Sequence, residues 1–81
     1  MTQINSFDLI TATFQPDRTD DLKPHARNWI GVRLRWCAAW EIDKGLYAGQ
    51  MAMMPDETPL GLKPIGWVPL CDLSDIEATR L

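Results

Sequence analysis

Histidine occurs once in the 81 residues, at position 25, and cysteine only at positions 37 and 71. With no Cys-x-x-Cys pair and a single imidazole, the chain lacks the ligand spacing of a zinc site, and no metal or other cofactor is expected. No apolar stretch approaches the ~20 residues that a membrane-spanning helix needs. Positive charge is scarce: eight Lys and Arg stand against eleven Asp and Glu, a net charge of −3. That balance omits the basic footprint of a general nucleic-acid binder. The glycines at 45, 49, 61 and 66 are scattered at turn-like places and form no phosphate-cradling loop. The chain is too short for a Rossmann or TIM-barrel scaffold, so residues 1–81 read as a single small domain.

What is present is apolar and aromatic. Hydrophobic residues make up 46% of the chain and four are tryptophan, enough to argue against disorder. A domain this size buries about 60% of its unfolded surface, and its core nets only ~3–5 kcal/mol. Charge is unevenly placed. Residues 1–22 sum to −3, residues 23–40 to +4 through Lys23, Arg27, Arg33 and Arg35, and residues 41–81 to −4. A basic middle between acidic ends makes a two-signed surface suited to a protein partner. Cys37 and Cys71 both lie in apolar runs and are expected to be buried small hydrophobes. The opening Met-Thr-Gln-Ile-Asn-Ser-Phe-Asp has no basic stretch followed by an apolar one, so a cytoplasmic protein with reduced thiols is expected.

The periodicity is that of strands. Phe7 to Phe14 reads as a first strand, apolar on both faces, and Gln15 to His25 as a long polar loop. Ile30, Val32, Leu34 and Trp36 alternate with Gly31, Arg33 and Arg35, which predicts a half-buried strand with arginine on the wet face. Cys37-Ala38-Ala39 breaks the alternation, predicting a bulge before Trp40 and Ile42. Asp43-Lys44-Gly45 predicts a hairpin turn whose second arm runs from Leu46 to Met54. Pro55 to Lys63 forms a second loop, and Ile65 to Leu70 a strand that Pro69 confines to an edge or an end. Ser74-Asp75-Ile76-Glu77 has the spacing of a helix capping box. The expected fold is mainly β: a small antiparallel barrel or curled sheet of four to five strands with a short C-terminal helical turn.

Gly66-Trp67-Val68-Pro69, followed by Leu73, resembles the closing signature of Src homology 3 (SH3) domains. Ala12-Thr13-Phe14-Gln15-Pro16, followed by Asp20-Asp21-Leu22, resembles that family's opening strand and acidic first loop. The resemblance covers about twenty residues at the two ends of the chain. It implies a partly open five-strand barrel with a shallow aromatic groove for proline-rich peptides. It also implies groove roles for Phe14, Pro69 and the carboxylates of Asp17, Asp20 and Asp21, which would meet a basic ligand side chain. Two positions depart from the family pattern: Pro16 replaces the second aromatic, and Asp72 stands where a tyrosine is expected. The tandem-tryptophan position corresponds either to Trp36-Cys37 or to Leu46-Tyr47.

Catalytic constellations are sparse. A thiol–imidazole pair would join His25 to Cys37 or Cys71, and the carboxylate pairs Asp20-Asp21 and Asp56-Glu57 read as solvated charge. The function expected is therefore non-catalytic binding of another protein through an aromatic and acidic face made by Phe14, Asp17, Asp20, Asp21, Trp67 and Pro69. A second candidate face is Trp29, Arg33 and Arg35: if Trp36 points inward, Trp29 points outward beside the arginines, a composition common at interface hot spots. Two other readings stand beside this one. One is an accessory or inhibitory protein of a phage or mobile element that blocks a host factor. The other is a homo-oligomeric barrel with a structural or small-ligand role.

Overall fold

The computed structural model describes residues 8–18 and 22–78. Five strands run in the order β1 (Leu9–Phe14), β2 (Arg33–Glu41), β3 (Met51–Pro55), β4 (Val68–Pro69) and β5 (Leu73–Ala78). A four-residue helix α1 (Pro24–Arg27) interrupts the connection from β1 to β2, and a 3-10 turn (Leu70–Asp72) joins β4 to β5. All neighbours pair antiparallel in one sheet of order β4-β3-β2-β1-β5. The sheet curls into a half-barrel compatible with an SH3-like fold.

Side-chain alternation decides which face is inside. In β1, Ile10, Ala12 and Phe14 are buried, and in β2 so are Leu34, Trp36 and Ala38. The register Ile10↔Trp36 and Ala12↔Leu34 sets these rows side by side. The opposite face carries Thr11↔Arg35 and Thr13↔Arg33, the wet arginine face expected from the sequence. At the centre of the core, the Trp36 ring lies 6.2 Å from Phe14 and 6.1 Å from Trp29. Both tryptophans place their donors: Trp36 Nε1 donates to the Ala12 carbonyl at 3.0 Å and Trp29 Nε1 to the Lys63 carbonyl at 2.8 Å. A buried indole N–H without a partner would forfeit much of what burying its ring contributes.

The expected bulge is present. Ala38 pairs with Met53 and Trp40 with Ala52, so Ala39 is the extra residue on β2. The hairpin after it is wider than expected. Its second arm begins at Met51 rather than Leu46, because Ile42 and Gln50 close the connection (Ile42 N–H to Gln50 O, 2.8 Å). Gly49 completes that closure in a left-handed conformation, φ +89°, while its N–H donates to the Ile42 carbonyl. The strand expected from Ile65 contracts to Val68–Pro69, an edge strand that ends at its proline.

Three expectations are corrected. Ser74 to Glu77 is strand rather than helix: Thr13 pairs with Ser74 and Thr11 with Glu77, and the helical turn comes before β5. A capping box is worth only ~1 kcal/mol and yields here to a ladder with β1. The ladder is irregular at this point, where Asp75 has φ +51°. The second correction concerns Trp29, which is fully buried instead of facing outward. The chain reverses at Gly31, φ +86°, whose N–H donates to the Phe14 carbonyl, so regular strand begins only at Arg33 and Trp29 follows a different parity. The third is Cys71, which is exposed; Cys37 is half-buried on the outer face of β2.

Candidate functional site

A cleft of about 360 Å³ opens at one end of the half-barrel. Phe14, the last residue of β1, lies at its base, fully buried by the sheet behind it. One wall comes from the connection between β1 and β2, with Arg18, Leu22 and Lys23, and from His25 and Ala26 of α1. More of the lining comes from Tyr47, in the turn between β2 and β3, from Ile65 and Trp67 on the approach to β4, and from Val68 and Pro69 of β4 itself. Asp72 of the 3-10 turn completes the lining. A shallower hollow of about 230 Å³ shares Arg18, Tyr47 and Asp72 with this cleft and adds Asp17, Leu46 and Gln50.

Three residues of the first candidate face meet here: Phe14, Trp67 and Pro69 line the cleft, and Asp17 lines the adjoining hollow. Their roles differ from those expected. Phe14 and Pro69 are buried floor and structural support, whereas Trp67 is 44% exposed and available to a ligand. Asp20 and Asp21 lie outside the described residues. The second candidate face loses its aromatic member with the burial of Trp29. Its arginines are engaged within the sheet: Arg33 pairs with Glu77 at 3.5 Å and donates to the Thr13 hydroxyl and the Asp75 carbonyl, and Arg35 pairs with Asp56 at 3.3 Å.

Two aromatic residues escaped the sequence reading. Trp40 is as exposed as Trp67, and their rings meet edge-to-face with centroids 6.0 Å apart. The bulge at Ala39 sets Trp40 opposite the small Ala52, beside β4. Tyr47 lines both concavities, and its carbonyl accepts from Gln50 N–H at 3.1 Å. The sequence hint at Tyr47 was its place in the Leu46-Tyr47 alternative. No periodicity pointed to Trp40, because its orientation depends on the bulge.

The adjoining hollow is organised around Gln50, whose side-chain oxygen accepts from the Cys71 backbone N–H at 3.0 Å and so clamps the 3-10 turn to the β2–β3 connection. Burial pushes the Asp72 carboxyl above its usual range and the nearby Asp17 adds to the shift, while the Cys71 thiol, 3.8 Å away, opposes it. Burial likewise raises the Cys71 thiol, against the hydrogen-bonding influence of Gln50. This is the reverse of the shift that activates a thiol nucleophile. Among the described residues no group of three or more His, Cys, Asp or Glu could hold a metal ion, and no helix is long and apolar enough to cross a membrane. No protein-family model, curated protein or solved structure matches the chain.

Proposed function

We propose that this chain is a non-catalytic recognition module that binds another protein through the cleft and the exposed Trp40–Trp67 pair beside it. The observation that carries this reading is the convergence of Phe14, Trp67 and Pro69, drawn from the two ends of the chain, on one concavity of mixed apolar and charged lining. Two half-exposed tryptophans in edge contact have the composition and geometry of an interface hot spot: large apolar area on rigid rings, with little rotamer entropy to lose. The strand order and the 3-10 turn before β5 agree with the resemblance to SH3 domains and support a barrel that presents its ligand surface between loops. Asp72, in place of the groove tyrosine, gives the cleft a carboxylate where the family places a ring. The partner is therefore recognised by a different chemistry from an ordinary polyproline helix.

Affinity capture from a lysate of the source cells tests the reading, with wild type beside Trp67→Ala and the outer-face double variant Arg33→Gln/Arg35→Gln. Each protein is first checked for folding by circular dichroism. One dominant partner that is lost with Trp67→Ala and kept by the arginine variant is the expected result. Loss with the arginine variant and retention by Trp67→Ala would move the interface to the outer face of the sheet.

A further inference from the structure

The connection between β3 and β4 carries a residue that the fold leaves entirely in solvent. Leu60 has a relative exposure of 104%, the largest among the exposed apolar residues. It is held there by a tight turn: Leu62 N–H donates to the Pro59 carbonyl at 3.1 Å, and Gly61 between them has φ +91°, the left-handed value that the third position of a type II turn demands. The base of the loop is pinned to the core, because the Lys63 carbonyl accepts the Trp29 indole N–H. Leu60 is thus a preorganised apolar knob, with little ordering entropy to lose on docking.

We propose that Leu60 of one copy docks in the cleft of a second copy, so that the chain self-associates knob to cleft. This rests on the reading of the cleft as a recognition site and names an occupant for it. The cleft offers apolar surface from Tyr47, Ile65 and Trp67 to the leucine. Charge fits as well. Glu57 stands three positions before Leu60, is exposed, and belongs to neither ion pair of the described residues. Arg18 and Lys23 on the cleft wall also belong to neither, and these two cations outnumber the one carboxylate of the lining, Asp72. Knob and cleft are different patches of one molecule, so copies join either reciprocally in an isologous pair or heterologously, head to tail.

Sedimentation velocity of the full chain over a concentration series up to the millimolar range decides the matter. Wild type is expected to associate reversibly, and Leu60→Asp to raise the dissociation constant at least tenfold. Lys23→Glu, whose side chain is exposed and makes no cap hydrogen bond, is expected to weaken association on the cleft side without affecting the fold. Trp67→Ala removes the cleft wall and Leu60→Asp the knob. Alone, each associates at least tenfold more weakly than wild type, yet the two mixed associate more tightly than either alone, because one intact cleft and one intact knob survive between them. Folding defects would not give that complementation.

A wild type that stays monomeric throughout overturns the proposal. So does a Leu60→Asp variant that associates like wild type, or a mixture that fails to complement. A monomer that still captures a partner through Trp67 would remove this inference and leave the recognition function standing.

Discussion

Trp29 and Lys63, thirty-four positions apart, are joined by a 2.8 Å hydrogen bond from the indole N–H to the backbone carbonyl. The bond ties the segment after α1 to the loop between β3 and β4, and so holds together two chain segments that both contribute to the lining of the cleft. Trp29→Phe keeps an aromatic ring and removes the donor, leaving the Lys63 carbonyl without its partner. The expected cost is about 1–3 kcal/mol of stability. Urea denaturation measures it, and faster amide exchange at Leu62 N–H should accompany it, since that turn adjoins the released anchor.

Phe14 belongs to the cleft and to the core at once, which limits what can be learned by deleting it. Its ring is fully buried and 6.2 Å from Trp36. Phe14→Ala should cost ~3–5 kcal/mol, as much as a core of this size supplies in net stability. The expected outcome is an unfolded chain, seen as loss of near-ultraviolet circular dichroism. Phe14→Leu should fold and lose less.

Trp40 and Trp67 carry the opposite expectation. Each exposes 44% of its surface and packs on one side only. Replacing either with alanine should lower the thermal midpoint less than Phe14→Ala does, and should weaken partner binding at least tenfold, the ~1.4 kcal/mol or more expected of a hot-spot residue. Calorimetry on each variant, with and without partner, separates the two effects.

Asp72 gives the pH dependence a definite sign. Burial raises its folded-state carboxyl above the ordinary range, so between the unfolded and folded values the native chain binds more protons than the unfolded one. Stability from this group therefore falls as pH rises through that window, and is recovered below it. Asp72→Asn removes the penalty. The variant should melt higher than wild type at neutral pH, with the difference vanishing as pH drops below the ordinary aspartate value. Parallel melting curves across that interval provide the check.

The strict alternation from Val32 to Trp36 made β2 legible in the sequence, because a half-buried strand repeats every two residues. The bulge before Trp40 was legible for the same reason, as a break in that repeat. Strand parity does not carry back to Trp29, because the chain turns at Gly31. Ser74 to Glu77 misled because a capping box is a local signal, whereas pairing with β1 depends on residues more than sixty positions away. At the cleft, Trp67 and Pro69 were legible from their motif. Trp40, Tyr47 and the knob at Leu60 were not, since each owes its placement to a bulge or a turn in the chain's path.

The four indole N–H groups offer the most direct test of the cleft as the recognition surface. Two belong to buried tryptophans, Trp29 and Trp36, and two to the exposed pair, Trp40 and Trp67. Nitrogen-15 labelled protein is titrated with the partner captured by wild type, and the four indole resonances are followed. The Trp40 and Trp67 signals are expected to shift or broaden in step with binding, while those of Trp29 and Trp36 hold their positions. Unchanged Trp40 and Trp67 signals, with shifts confined to the Arg33 and Arg35 amides, would contradict it.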